Sequence, residues 1–406
     1  MLINTIKHTI PRINILVINQ ISVFLTIPWL AANLSLDTFG LIATAIILIQ
    51  FGWMIIEWGY MGYSTEIWKK NYKINKRNQI ISCLIFSQLM LALIYILILL
   101  LLIFLNFIYI PFYFFLLSII SIVFGGIFPL WFFNINNIAN RLVGVTFFSR
   151  LFFLISVFWI VKSDYDAKFF LFFHGLSFAV ITIYALIIMM KNYKFNFCKV
   201  SLLNIKRHII NSFLFFINSI TNTQLNNIWG FVLSLNANPI LIGFFSISDY
   251  FYRAGNAVSN TFAQVIRVNT KNKKINYVIK LSKSFLFIYF ILLILGLFLS
   301  EFIISLFFHA SYIDTLPIIR IILFVWFFQS VIKLYGYPVL GKIMTVDFVN
   351  KLGYLFLILH LFLMLLWFLF FGSLISLVLL FLLGSFLHGT FIVFFLKKRK
   401  IIIFDS

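Results

Sequence analysis

The chain has 406 residues, 63% hydrophobic and only 10% charged, with a mean hydropathy of +1.09. No water-soluble fold has enough polar surface to cover that composition, so a soluble enzyme is excluded. The 55 Phe and 9 Trp must be buried in lipid or protein, which excludes disorder, and the only two cysteines, Cys83 and Cys198, exclude a disulfide scaffold and read as unpaired thiols. A net charge of +21 would suggest nucleic acid in a soluble protein. Here the Lys and Arg fall in short clusters between apolar runs, the pattern of loops retained in the cytoplasm, so no nucleic-acid partner is expected and anionic lipid is the ordinary counterpart.

A spanning helix needs ~20 mostly apolar residues. Runs of that kind predict helices near residues 13 to 32, 39 to 62, 80 to 104, 112 to 133, 142 to 161, 169 to 190, 209 to 234, 240 to 266, 284 to 308, 317 to 340, 352 to 371 and 374 to 396. Lys7 and Arg12 before the first run resemble a secretory signal. A second run follows after a few residues, so the first is expected to stay as a helix with its basic end inside. Basic clusters then recur on the same side: Lys69 to Arg77, Arg141, Lys191 to Arg207, Arg267 to Lys283, Lys342 with Lys351, and Lys397 to Lys400, against only Lys162 and Lys168 in loops on the other. Both termini are therefore expected in the cytoplasm. The outer loops, such as Leu34 to Thr38, 162 to 168 and His309 to Leu316, are too short to fold on their own.

The two halves repeat weakly at a shift of 203 residues: span order, polar face and loop charge agree, and the basic loop from Lys69 falls on the one ending at Lys274. The expected fold is an all-α integral membrane protein of about twelve helices in two six-helix lobes, residues 1–200 and 201–406, with Lys191 to His208 as the link.

A charged side chain at mid-span costs about 3 kcal/mol, so each should face protein or a hydrated cavity. Six qualify: Glu57, Arg150, Asp249, Arg253, Arg320 and Lys333. In the eighth span Ser246, Asp249, Arg253, Asn256, Asn260 and Gln264 recur at steps of 3, 4, 3, 4 and 4, which is one helical face. The repeat sets Gln50, Trp53 and Glu57 on Arg253, Asn256 and Asn260. The seventh span adds Asn218, Asn222 and Asn226 along one side. These stripes predict a polar cavity lined by Gln50, Asn218, Asn222, Asn226, Asn256, Asn260 and Gln264, with Arg150, Arg253, Lys333 and Arg320 as cationic sites. Asp249 and Arg253 also read as an i, i+4 pair that neutralises itself. Arg320, three residues after Pro317, and Lys333, before Gly336-Tyr337-Pro338, also read as snorkelling ends, and Glu57 as the partner of a loop lysine. His174, His360 and His388 read as packing histidines. There is no metal-ligand spacing, nucleotide-binding glycine loop or nucleophile elbow. A carrier, or an enzyme working within the membrane, remains.

Ile27-Pro28-Trp29-Leu30, Phe39-Gly40 and Glu57-Trp58-Gly59-Tyr60 before a basic loop resemble the opening of Wzx-type O-antigen flippases, in the polysaccharide transporter branch of the multidrug/oligosaccharidyl-lipid/polysaccharide (MOP) exporter superfamily. Pro129-Leu130-Trp131-Phe132-Phe133-Asn134 resembles that family's Pro-Glu-Trp-Leu-Phe-Gln stretch, with Leu130 in place of the acid, and Gly243 to Arg253 and Tyr335 to Leu340 resemble its eighth and tenth helices. The resemblance implies a MATE-like, V-shaped two-lobed exporter, not an enzyme, that moves undecaprenyl-pyrophosphate-linked oligosaccharide from the cytoplasmic to the periplasmic leaflet of a bacterial inner membrane during lipopolysaccharide biosynthesis. Its partners would be that lipid, the bilayer, and an O-antigen polymerase and chain-length regulator. No bound cofactor is expected, with proton or sodium exchange through Glu57 or Asp249 as the possible drive. A multidrug exporter of the same superfamily would prefer acidic mid-span charge, whereas four of the six charges here are basic. An O-antigen polymerase or ligase would carry a large periplasmic loop, and these outer loops are short.

Overall fold

In the computed structural model the chain is helical almost throughout. The structure describes residues 2–68, 74–221, 225–235, 238–269 and 274–398, with the backbone alone at 2–13, 16, 20, 74, 75, 264, 265, 267–269 and 346. In chain order the helices are α1 (Leu2–Asn33), α2 (Leu36–Glu57), α3 (Tyr60–Trp68), α4 (Ile74–Phe104), α5 (Phe112–Ile127), α6 (Leu130–Ile135), α7 (Asn140–Ile160) and α8 (Ala167–Tyr193). They continue as α9 (Leu202–Ser219), α10 (Leu225–Ser234), α11 (Pro239–Asn269), α12 (Ile275–Phe307), α13 (Leu316–Tyr335), α14 (Gly341–Ile343), α15 (Val346–Leu366) and α16 (Leu374–Lys398).

Among the described residues nine helical stretches are long and apolar enough to cross a membrane: Leu36–Trp68, Lys76–Phe104, Phe112–Ile135, Asn140–Ile160, Asp164–Tyr193, Ile275–Phe307, Ala310–Ile343, Asp347–Phe371 and Leu374–Lys398. The other three predicted spans fall on α1, on α9 with α10, and on α11, where the polar stripe lowers the hydropathy of a helix that is otherwise long enough to cross. The all-helical membrane fold is thus as expected, and its helix order accommodates twelve spans.

Two predicted spans are not single helices. Residues 39 to 62 divide where Trp58 (φ 44) and Gly59 (φ 70) turn left-handed, ending α2 and starting α3. A Cβ at Gly59 would overlap the backbone of Phe215 and Phe216, so both its φ and its neighbours require glycine. Residues 112 to 133 divide at Phe128-Pro129, because proline excludes the helical conformation at the residue before it, and Phe128 has ψ 112. The two short helices that result, α3 and α6, pack on each other.

The chain forms two compact units, Met1–Gly243 and Phe244–Ser406. The lobe boundary expected at residue 200 and this contact boundary differ by α9 and α10, which pack on α3, α4 and α2. Within the first unit α5 packs on α8 and α2; within the second, α13 packs on α16 and α12. The repeat shows in one detail. Trp53 of α2 lies over Gly125 of α5 and donates to the Ser121 carbonyl at 2.8 Å. Trp326 of α13 lies over Gly255 of α11 and donates to Ser259 Oγ at 3.1 Å. Equivalent helix pairs thus use the same large-against-small contact with the partners exchanged, which keeps the volume filled at each crossing. His174, His360 and His388 are buried among aromatic rings, and both cysteines are free thiols.

Candidate functional site

The stripe residues from Ser246 to Asn260 lie on the single helix α11. Asp249 and Arg253, one turn apart, form an ion pair with Arg253 Nε 2.6 Å from Asp249 Oδ2, and both side chains are largely withdrawn from solvent. One turn on, buried Asn256 accepts a 2.5 Å hydrogen bond from Lys333 Nζ of α13. Beneath them Ser259 and Ser330 hydroxyls lie 2.6 Å apart, and Gln329 of α13 donates to Ser385 of α16 at 3.0 Å. Ser246 is buried and Asn260 is exposed, so the stripe passes from packed to open along α11. The side chain of Gln264 lies outside the described residues.

Lys333 does not snorkel. Its ammonium is held within the second unit by Asn256, a partner 77 positions away that helical periodicity could not have found. Two neighbouring turns of α11 thus each hold a cation, Arg253 by Asp249 of the same helix and Lys333 of α13 by Asn256. Pairing compensates much of the cost of taking two cations and one anion out of water.

Arg150 sits elsewhere, in the first unit, 1% exposed among α1, α7 and α8. Its Nε donates to Asn19 Oδ1 at 2.7 Å and its Nη1 to Ser177 Oγ at 2.9 Å, and its guanidinium carbon lies 3.9 Å from the Phe178 ring centroid. Nη2 is buried with no hydrogen-bond partner. In place of the open polar cavity expected at Arg150, the structure holds this side chain in a packed cage of Asn19, Ser177 and Phe178, partners on α1 and α8 that the periodicity of α7 cannot reach.

Glu57 does not meet a loop lysine among the described residues. Its carboxylate accepts from the amides of Gly59 (3.0 Å) and Met61 (2.6 Å), capping α3 across the break, which suits a negative charge at a helix N-terminus. Arg320 is 46% exposed and 3.5 Å from exposed Glu301 at the end of α12, so the structure takes the surface reading of this residue and separates it from the stripe. Gln50 is half-buried on α2, next to Phe51, which stacks on Phe231 of α10 at 4.0 Å. Asn218 is half-buried on α9 and Asn226 buried on α10. Asn222 lies outside the described residues.

The stripe holds its cations on two helices, Arg253 by a carboxylate and Lys333 by a carboxamide. The structure is similar to one described as "Lipid II flippase MurJ, inward closed conformation", with a TM-score of 0.71 at 14% identity over 93% of this chain and 87% of that one. It is also similar to an outward-facing multidrug resistance MATE family transporter of the MOP superfamily, with a TM-score of 0.52 at 10% identity over 97% and 94% of the two chains. The comparison with curated proteins gives no match. At these identities the structures establish the fold, a multi-pass membrane fold shared by a flippase and an exporter. The sequence itself goes further: the family model described as "Polysaccharide biosynthesis protein" matches residues 9–268, well over half of the chain, and the protein belongs to that family.

Proposed function

We propose that the protein flips an undecaprenyl-pyrophosphate-linked oligosaccharide, an O-antigen unit, from the cytoplasmic to the periplasmic leaflet of a bacterial inner membrane, with both termini in the cytoplasm. The observation that carries this reading is the α11–α13 row, in which Arg253 and Lys333 are held by Asp249 and Asn256. Two cations at mid-span serve a purpose if an anionic headgroup must pass, because a pyrophosphate leaving water needs charge-assisted donors in place of its hydration shell. The flanking amides and hydroxyls suit sugar hydroxyl groups. No covalent chemistry is required, and the lipid tail stays in the bilayer.

An inside-negative potential favours outward passage of an anion by ~2.3 kcal/mol per charge per 100 mV. Exchange of a proton or sodium at Asp249, and secondarily at Glu57, is the proposed coupling; no bound cofactor is invoked. The polymerase and chain-length regulator that use the flipped unit are the proposed protein partners.

The test is the leaflet location of the lipid-linked unit in spheroplasts treated with an added glycosidase. Cells lacking the protein should retain a protected, accumulating pool; the wild-type gene should restore cleavage, and Arg253→Ala or Lys333→Ala at normal protein levels should not. Cleavable single units accumulating outside in cells without the protein would refute the reading.

A further inference from the structure

Three loops that the charge pattern sets on the outer side meet in one place in the first unit. The start of α2 contributes Asp37 and Leu41, the turn between α4 and α5 contributes Asn106, Phe107 and Tyr109, and the turn into α11 contributes Leu235, Asn238 and Pro239. They enclose an open cavity of about 520 Å³, within the ~300–1,000 Å³ typical of small-molecule sites. Its shape is fixed by two tight features. Asn106 stands in the left-handed region (φ 57), which turns the chain so that Phe107 and Tyr109 follow at the rim. Gly40 lets α2 meet the carbonyl of Pro239, where any Cβ would overlap it.

The lining is unlike the α11 row in sign. Among the described residues its one charged group is the Asp37 carboxylate, which is exposed, and no cation lines the cavity. Asn238 uses Oδ1 to accept from the Ile240 amide at 3.0 Å, capping α11, which leaves its amide NH2 as a donor. Asn106 and the Tyr109 hydroxyl add groups that both donate and accept. Phe107 and Tyr109 are large aromatic faces exposed by 44% and 72%. A carboxylate and carboxamides that can bracket vicinal hydroxyls, beside aromatic faces for the C–H side of a ring, make a lining complementary to a pyranose. The same carboxylate repels a phosphate.

We propose that this cavity is a carbohydrate subsite that receives a neutral or amino sugar of the transported unit on the outer side. The inference rests on the flippase reading for its biological meaning, but its binding chemistry stands apart from transport. Saturation-transfer NMR on the full-length protein in nanodiscs tests it, with methyl glucoside, methyl galactoside and N-acetylglucosamine at millimolar concentration as probes. Ring protons of at least one probe should receive saturation from the wild type. Replacing Asp37 removes a charge-assisted hydrogen bond, so Asp37→Asn should weaken Kd about tenfold, and Tyr109→Ala should do so comparably. Glu301→Gln, an exposed carboxylate in the other unit, should leave binding unchanged. Thermal unfolding of each variant within a degree or two of wild type confirms that the fold is intact. No transfer to any probe, or equal transfer to wild type, Asp37→Asn and Tyr109→Ala, overturns the subsite. Leaflet assays on Arg253→Ala decide the transport reading separately: sugar binding that persists while flipping proves independent of Arg253 would overturn the anion path and leave the subsite standing.

Discussion

Arg150→Ala separates two meanings of a buried cation. The guanidinium makes hydrogen bonds to Asn19 (2.7 Å) and Ser177 (2.9 Å) and stacks on Phe178 (3.9 Å). Each hydrogen bond from a charged group contributes about 1.5–3 kcal/mol, and a desolvated cation–π contact about 2. Against this gross gain of about 5–8 kcal/mol stands the cost of burying the charge, which removes several kcal/mol. Truncation also leaves Asn19 Oδ1 without its donor, about 1–3 kcal/mol, and opens a void. Ser177 is protected, since its hydroxyl already donates to the His174 carbonyl at 2.8 Å. The net loss is about 2–4 kcal/mol, which at roughly 2–4 °C per kcal/mol for a unit of this size lowers the thermal midpoint by about 5–15 °C. The assay is unfolding of purified protein in detergent, followed by tryptophan fluorescence, in parallel with leaflet location in cells. The account expects a clear drop in midpoint with flipping reduced in proportion to folded protein. An unchanged midpoint with flipping abolished would refute it and put Arg150 on the path.

Arg320→Ala should change stability by less than about 0.5 kcal/mol and leave flipping intact, because its pairing with Glu301 is exposed and 3.5 Å long; a transport defect in cells would return Arg320 to the path. Gly59→Ala should cost about 1–3 kcal/mol from the left-handed backbone alone, with further loss from overlap at Phe215 and Phe216, read as a lower midpoint and lower folded yield. Glu57→Ala should cost about 1–2 kcal/mol by freeing the Gly59 and Met61 amides, and Glu57→Gln should recover much of it; transport that survives Glu57→Gln but loses its dependence on a proton gradient would assign coupling to this carboxylate.

The apolar runs made the fold legible, because a spanning helix must satisfy its backbone internally and carry ~20 apolar residues. Local periodicity likewise made the α11 stripe legible, since Asp249, Arg253 and Asn256 share one helix and their spacing fixes their face. What periodicity could not supply was the other helix. Lys333 meeting Asn256, and Arg150 meeting Asn19 and Ser177, are pairings of 77, 131 and 27 positions in separation. The breaks inside residues 39 to 62 and 112 to 133 had local signals in Gly59 and Pro129, but both runs are apolar enough that hydropathy alone carries straight through them. For Arg320 the sequence carries two readings, a cationic site on the path and a long side chain snorkelling from a helix end; the exposed pair with Glu301 follows the second.

Transport by this chain alone is the central claim, and proteoliposomes containing only the purified protein and a radiolabelled pyrophosphate-linked oligosaccharide on the inner leaflet test it most directly. Glycosidase added outside should progressively release all the label when wild-type protein is present, and the rate should fall at least about tenfold with Arg253→Ala, whose loss removes about 1.4 kcal/mol or more of anion stabilisation on the path. Release no faster than from protein-free liposomes, with the protein folded and correctly inserted, would contradict the account.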